Sequence, residues 1–160
     1  MAAACSAAGP EGRTGAFEVL LVEDNPADQR LLREELSCTD RIAELHTVSN
    51  GHQALSFLRR QDPFSEAPTP DLIILDLDLP GIDGWEVLSE VKEDPQLRRI
   101  PVIILTGSAN ETDVTRSYDL HANGYITKPM DPDGYCELVR AIGDFWLRVA
   151  TLAHQPDPRG

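Results

Sequence analysis

The sequence predicts an α/β fold in which a five-stranded parallel sheet carries helices on both faces. Strand-like and helix-like patterns alternate five times along the 160 residues. The clearest strand segments are continuous apolar runs, which is typical of strands buried on both faces. Several of these runs end in a polar side chain, at the carboxyl end of the strand, where open α/β sheets bind their ligands.

Five segments predict the strands. They are residues 19–22, 44–48, 72–75, 102–105 and 125–127. The third is the clearest, because its four apolar residues run directly into Asp76 and a turn rich in proline and glycine follows. The second is short, and the loop that follows its helix, residues 61–70, contains three prolines and is longer than usual.

Capping residues and periodic apolar positions predict five helices. They are residues 27–36, 51–59, 84–93, 111–120 and 132–152. Pro26 and Pro132 suit the first turn of a helix, where the missing N–H costs no hydrogen bond. Asn50 and Asn110 precede the second and fourth helices as caps. Asp83 is expected to shape the turn that starts the third.

Size and charge limit the classes of function. The length and the 41% hydrophobic content fit one domain, which we expect at residues 17–152 between flexible tails at 1–16 and 153–160. The formal net charge of −13 disfavours direct binding to nucleic acid and to anionic membranes. No apolar run approaches the roughly 20 residues that a membrane span needs.

Cysteine usage favours a reducing compartment. The chain has three cysteines, Cys5, Cys38 and Cys136, with no CxxC pair and no metal-ligand spacing. An odd number of cysteines without a signal-peptide pattern indicates reduced thiols, and therefore predicts a cytoplasmic location.

The residues that follow the strands predict a cation site. Glu23-Asp24 and Asp76 follow the first and third strands, so their three carboxylates converge at one edge of the sheet. Like charges about 4 Å apart repel by roughly 4 kcal/mol at an effective dielectric of 20. A raised pKa or a bound cation relieves this repulsion. Oxygen ligands without a nearby His or Cys select Mg²⁺.

Two further strand exits complete the pattern. Thr106 follows the fourth strand, and Lys128 follows the fifth as one of only two lysines among 14 Lys and Arg residues. An acid pair, a lone Asp, a hydroxyl and a lysine in this order resemble the receiver domain of two-component response regulators over about residues 17–145. The resemblance implies a flavodoxin-like sheet of strand order 2-1-3-4-5. It also implies that Asp76 is the phosphoacceptor.

The same resemblance assigns the pocket residues. Mg²⁺ would be held by Asp24, Asp76 and the backbone carbonyl of Asp78, with Glu23 acting through water. Lys128 would pair with Asp76 and then with a phosphoryl oxygen. The family's Lys-Pro peptide bond is usually cis, so the resemblance implies a cis bond between Lys128 and Pro129. Such a protein catalyses only its own phosphorylation and dephosphorylation and is not otherwise an enzyme.

Two residues match the receiver pattern of a conformational switch. Thr106 lies 30 residues after Asp76, and Tyr125 lies 19 residues after Thr106. In the family the hydroxyl turns toward the phosphoryl group, and the aromatic ring moves into the space it leaves. The alternatives are a plain strand threonine and a packed edge aromatic. None of the four histidines has a motif spacing, so the phosphodonor is expected on another protein, a sensor histidine kinase. With 32 residues after Lys128, no output domain is expected.

The last helix shows two apolar strips. The strip expected to face the core is Leu138, Ile142, Phe145, Val149 and Leu152. A neighbouring strip contains Tyr135, Val139, Trp146 and Leu147. We expect this second strip, centred on Trp146, to bury a homodimer contact, the alternative being that Trp146 caps the domain edge. The segment 144–147 and the long loop at 61–70 resemble stand-alone regulators paired with phytochrome-type kinases.

Two other functions compete with this interpretation. Asp76-Leu77-Asp78 imitates the DxD motif of haloacid-dehalogenase-type phosphatases, although that family places the motif on its first strand. A binding module that is independent of phosphorylation is the other alternative. Incubation with acetyl phosphate and Mg²⁺ discriminates the three functions. A labile label on one Asp supports the receiver, steady phosphate release supports the phosphatase, and no change supports the phosphorylation-independent module.

Overall fold

The computed structural model describes residues 17–37 and 42–153, which form a parallel sheet with helices on both faces. The strands are β1 (Phe17–Val22), β2 (Ile42–Val48), β3 (Leu72–Leu75), β4 (Val102–Thr106) and β5 (Gly124–Thr127). The helices are α1 (Pro26–Ser37), α2 (Gly51–Arg59), α3 (Gly84–Glu93), α4 (Glu111–Asp119) and α5 (Pro132–Gly143), followed by a π-helical segment (Asp144–Val149). The predicted tails lie outside the described residues, except for Ala153.

The strands are ordered β2-β1-β3-β4-β5, which confirms the expected topology. Val22 pairs with Leu75, and Leu75 pairs with Ile104, so β1 and β3 end side by side. The residues that come next, Glu23 and Asp76, therefore lie at the same edge of the sheet. No helix in the described part of the chain is long and apolar enough to cross a membrane.

Apolar side chains from alternate positions of each strand fill two core layers. Leu20 and Val22 face the layer under α2 and α3, whereas Val19 and Leu21 face the layer under α1 and α5. All four are buried to 1% exposure or less, as the continuous apolar runs predict. At roughly 25 cal/mol per Å² of apolar surface, these layers are the main source of stability.

Capping side chains start the helices as predicted. The Asn50 side chain accepts a hydrogen bond from the N–H of Gln53 at 2.8 Å, and Asn110 accepts one from Thr112 at 2.8 Å. Asp83 caps α3 in the same way, and this fixes the start of the helix that follows the Asp76 turn.

The last helix differs from the prediction in part, because residues of both strips are buried and two residues of the expected core strip are exposed. Tyr135, Val139, Ile142 and Leu147 are buried, whereas Phe145 is 51% and Val149 is 72% exposed. The buried apolar side chains follow helical spacing up to Ile142, and the next one, Leu147, is five residues further on. This step matches the wider turn of the π-helical segment, in which the N–H of Ala150 bonds to the carbonyl of Phe145. The helix ends at Val149 rather than at Leu152.

Trp146 is therefore not the centre of an exposed strip. Its ring is half-buried against the layer under α1 and α5, and Phe145 packs edge-on against it with the ring centroids 5.2 Å apart. Leu138 and Leu152 are also partly buried against this layer, as predicted. The expectation that Phe145 and Val149 face the core is wrong, because the wider turn rotates them toward solvent.

Candidate functional site

Three predicted carboxylates meet at the carboxyl ends of β1 and β3. Oxygen atoms of Glu23, Asp24 and Asp76 lie within 4.8 Å of one another, which is close enough to share one metal ion. Glu23 is 1% and Asp76 is 6% exposed, whereas Asp24 is open to solvent. The site thus combines two buried acids with one accessible acid, and hard oxygen donors of this kind suit Mg²⁺ or Mn²⁺.

The backbone after β3 holds Asp76 in place. Its N–H donates to the carbonyl of Val22 at 3.0 Å, which extends the pairing of β1 and β3 by one residue. One carboxylate oxygen, Oδ1, accepts from the N–H of Asp78 at 3.1 Å. The other, Oδ2, accepts from Lys128 at 2.9 Å. The carboxylate is fixed at both oxygens before any reaction begins.

The ammonium group of Lys128 forms ion pairs with three carboxylates. Its Nζ lies 2.6 Å from Glu23, 2.8 Å from Asp28 and 2.9 Å from Asp76. Burial alone lowers the pKa of Lys128, but the hydrogen bonds from Nζ to Asp28, Glu23 and Asp76 outweigh it and hold that pKa above its ordinary value. The lysine is therefore a permanent cation at this site.

Asp28 is a pocket residue that the sequence analysis missed. It lies in the first turn of α1, one turn after Asp24, and its side chain is 23% exposed. The amide oxygen of Asn25 accepts from the N–H groups of Ala27 and Asp28, and this starts the helix. The available signal was an acidic residue in the helical turn that follows the Glu23-Asp24 pair.

Glu23 is the most buried acid of the site. Burial raises its pKa to about 7, the hydrogen bond from Lys128 opposes the rise, and the nearby charge of Asp76 adds to it. Its carboxylate also accepts from the N–H of Asn25 at 3.0 Å. Glu23 therefore contacts the ammonium group of Lys128 directly.

Thr106 and Tyr125, the predicted switch pair, lie on neighbouring strands. The Thr106 hydroxyl is buried and has no hydrogen-bond partner within the described residues. The carbonyl of Thr106 accepts from the N–H of Lys128 at 2.7 Å, which ties β4 to the lysine. A buried hydroxyl without a partner is free to accept or donate a bond to a new group nearby.

The Tyr125 ring is half-buried and attached to the loop after β4. Its hydroxyl donates to the carbonyl of Ser108 at 2.7 Å, and the ring packs on the core layer under α2 and α3. Burial raises the pKa of Tyr125, so the hydroxyl stays a donor at neutral pH. The ring position and the loop conformation are therefore linked.

One expectation about the backbone near Lys128 has a clear outcome. In the part of the chain that the structure describes, the cis peptide bond is Asp62–Pro63, so the expected cis bond between Lys128 and Pro129 is wrong. The trans form is the ordinary state of most X-Pro bonds. Asp78 is exposed, and its N–H, rather than its side chain, contacts Asp76.

A second acidic group lies away from this pocket. His46 on β2 lies 2.8 Å from Glu18 and 3.8 Å from Glu44. The His46 ring also packs against Phe57 with the centroids 5.0 Å apart. The contact with Glu18 and the ring contact account for this histidine as a structural residue.

Comparisons with known proteins agree with this geometry. The family model described as "Response regulator receiver domain" matches residues 19–140. Response regulator Rcp1 of Synechocystis sp. is 46% identical over 134 residues, which are 84% of this chain and 91% of that protein. The methanogenesis regulatory protein FilR2, described as probable, of Methanothrix harundinacea is 40% identical over 82% of this chain and 84% of its own.

Solved structures give the same result. The phosphorylated cyanobacterial phytochrome response regulator RcpA is similar with a TM-score of 0.85 and 46% identity, over 88% of this chain and 100% of that one. The Mn²⁺-bound form of Rcp1 is similar with a TM-score of 0.84 and 45% identity, over 86% of this chain and 99% of that one. Sequence and structure agree that this chain belongs to the response regulator receiver domain family.

Proposed function

We propose that this protein accepts a phosphoryl group on Asp76 from a sensor histidine kinase and signals through a changed surface. The observation that carries the proposal is the position of Asp76, which is held at both carboxylate oxygens and lies 2.9 Å from the Lys128 ammonium. A fixed carboxylate beside a permanent cation is suited to attack a phosphoryl group, because the cation offsets the charge that builds up.

A divalent metal completes the proposed site. Asp24, Asp76 and the backbone carbonyl of Asp78 would hold Mg²⁺, with Glu23 acting through water. The carboxylate oxygens within 4.8 Å support this assignment, and the similar Rcp1 has a Mn²⁺-bound form. When bound, the metal neutralises charge on the acceptor and on the incoming phosphoryl group. Asp24 is the accessible acid, so it is the natural first ligand for an ion from solvent.

Thr106 and Tyr125 would convert phosphorylation into a surface change. The buried Thr106 hydroxyl lacks a partner in the described structure, so a phosphoryl oxygen would supply one. Movement of Thr106 would change the space beside Tyr125. The hydroxyl of Tyr125 is hydrogen-bonded to Ser108, so movement of the ring would also change the loop before α4. A ligand shifts a two-state equilibrium only by a differential contact, and this hydroxyl provides it.

The partner is inferred from the relatives. RcpA is described as a cyanobacterial phytochrome response regulator, so we propose a phytochrome-type histidine kinase as the phosphodonor. A histidine kinase as donor and the odd number of cysteines support a cytoplasmic location as part of the proposal. The net charge of −13 disfavours nucleic acid and anionic membranes as partners. No observation supports the dehalogenase-type phosphatase or a phosphorylation-independent module.

A homodimer through the last helix is part of the proposal, with a revised contact. The exposed apolar residues on that helix are Phe145 and Val149, not Trp146. In a two-fold symmetric dimer through this helix, Phe145 and Val149 of each copy would be buried against the other copy. Phe145→Ala should weaken dimerisation in sedimentation velocity runs. A wild-type chain that stays monomeric with and without a phosphoryl donor would contradict this part of the proposal.

Phosphoryl uptake tests the main proposal. The wild-type protein is incubated with acetyl phosphate and Mg²⁺, and the phosphorylated fraction is measured by phosphate-affinity electrophoresis. Asp76→Asn should abolish the label, whereas Asp83→Asn should keep it, because Asn caps α3 as well as Asp does. Steady phosphate release without a labelled protein would contradict the proposal in favour of a phosphatase.

A further inference from the structure

Tyr135 places an unpartnered hydroxyl inside the domain. The residue lies in α5, shortly after its N-terminus, and its side chain is 4% exposed in the layer under α1 and α5. The hydroxyl oxygen is buried and makes no hydrogen bond within residues 17–37 and 42–153. Buried tyrosine hydroxyls usually find a partner, so an orphaned one requires an explanation.

The hydroxyl lies close to the charges of the phosphorylation site. α5 packs against α1, the helix that carries Asp28. Burial raises the pKa of Tyr135, and the charges of Lys128, Asp28, Glu23 and Asp76 all act on this one hydroxyl. Tyr135 shares its buried layer with Leu32, which lies one helical turn after Asp28, so Tyr135 packs against the face of α1 that carries Asp28.

Lys128 has no donor to spare. An ammonium group has three N–H bonds, and those of Lys128 face Glu23, Asp28 and Asp76 at 2.6, 2.8 and 2.9 Å. A phosphoryl group on Asp76 adds oxygen acceptors on the same side of the pocket. When Nζ turns toward one of them, a carboxylate that it served before is left without its cation.

Asp28 is the carboxylate that depends most on its hydrogen bond from Lys128. Glu23 also accepts from the N–H of Asn25, so it keeps a donor when Lys128 moves. Among the hydrogen bonds of the described residues, the Asp28 carboxylate accepts from Lys128 alone. A new donor near Asp28 would therefore lower the cost of moving the lysine.

We propose that Tyr135 is a positioning residue of the phosphorylation site, whose hydroxyl donates to the Asp28 carboxylate when Lys128 turns to the phosphoryl group. The inference rests on the proposed function and adds a group to it. Tyr135 touches neither the acceptor oxygen nor the metal. It acts through Asp28, by releasing the lysine that Asp28 otherwise retains.

Tyr135→Phe removes a single oxygen atom and tests the proposal. Uptake from acetyl phosphate at saturating Mg²⁺ should slow about tenfold, the factor expected for one hydrogen bond to a charged group. The melting temperature should stay equal or rise, because the change removes an unsatisfied buried polar atom. Tyr118→Phe, at a half-exposed position on α4, is the matched control and should label at the wild-type rate.

A double-mutant cycle separates this role from a general packing effect. In an Asp28→Ala background the acceptor is gone, so Tyr135→Phe should cause no further slowing. Equal labelling rates for wild type and Tyr135→Phe would overturn this inference and leave the proposed function intact. The same holds if Tyr135→Phe slows labelling by the same factor in the Asp28→Ala background as in wild type. A wild-type protein that takes up no phosphoryl group would overturn the proposed function, and this inference with it.

Discussion

Gly84, the first residue of α3, lies directly against the backbone that follows Asp76. A Cβ atom at this position would come within 2.6 Å of the Leu77 Cα and still closer to the Asp76 carbonyl oxygen. The N–H of Gly84 also donates to the Leu77 carbonyl at 3.1 Å. This close approach fixes the turn that follows Asp76, so Gly84 is a determinant of the geometry of the Asp76 carboxylate.

Gly84→Ala should therefore destabilise the fold. The added methyl group meets backbone atoms that cannot rotate away, so we expect a loss of about 2 kcal/mol in the free energy of unfolding, within the range for overpacking. Urea denaturation measures it. Gly107→Ala is the matched control, because a Cβ there meets nothing within 4 Å. Equal stabilities for the two variants would show that the turn tolerates a side chain.

Lys128→Met should destabilise the protein and make its stability dependent on metal. The change leaves Glu23, Asp28 and Asp76 without their shared cation, and removing one partner of a buried ion pair costs about 3 kcal/mol. Mg²⁺ should recover part of this loss, because it supplies positive charge to the same carboxylates. Urea denaturation with and without Mg²⁺ tests the prediction, and Lys92→Met is the control without a carboxylate partner. A Lys128→Met protein as stable as wild type would contradict it.

Asp24→Ala should reduce Mg²⁺ affinity more than Glu23→Gln does. Asp24 is exposed and is the direct ligand in the proposed site, whereas Glu23 is buried against Lys128. We expect a loss of about tenfold or more for Asp24→Ala, in line with removal of one ligand from a weak oxygen site. Isothermal titration calorimetry measures both variants against wild type. Equal affinities of Asp24→Ala and wild type would rule out the proposed ligand.

Lys92 predicts a pH dependence of stability that is separate from the site. Burial lowers its pKa from the ordinary value of 10.5 to about 8, and Nζ donates to the carbonyls of Arg98 and Ile100. Between these pH values the unfolded chain binds more protons than the folded one, so the free energy of unfolding should rise with pH in that window. Urea denaturation of wild type and Lys92→Met from about pH 7.5 to about pH 9.5 measures how the free energy of unfolding of each protein changes with pH. Parallel curves would disprove the shift.

The sequence predicted the parts of the structure that depend on strand order. Continuous apolar runs identify buried strands, and the residues after them must share one sheet edge, so Glu23, Asp24 and Asp76 were found together. Asp28 was missed, because which side chain of a helix faces the pocket depends on how α1 rotates when it packs. That rotation is a tertiary property, and the only local signal for it was an acidic residue one turn after the Glu23-Asp24 pair.

The last helix shows a second limit. Its two apolar strips differ by about a quarter turn, and the sequence cannot choose between them without knowing where the helix widens. The five-residue step between Ile142 and Leu147 brings Leu147 inward and Phe145 outward. The buried face therefore combines residues from both predicted strips, and only Phe145 and Val149 of the expected core strip face solvent.

Chemical trapping of the acceptor tests the central claim most directly. The protein is phosphorylated with acetyl phosphate and Mg²⁺, reduced with borohydride, and mapped by peptide mass spectrometry, since reduction converts an aspartyl phosphate to homoserine. We predict homoserine at position 76 in wild type and none in Asp76→Asn, because the Asp76 carboxylate is fixed at both oxygens and contacts Lys128. Glu23 makes the same kinds of contact but is less accessible, at 1% exposure against 6% for Asp76. Homoserine at Asp24 or Asp78, with position 76 unmodified, would contradict the account.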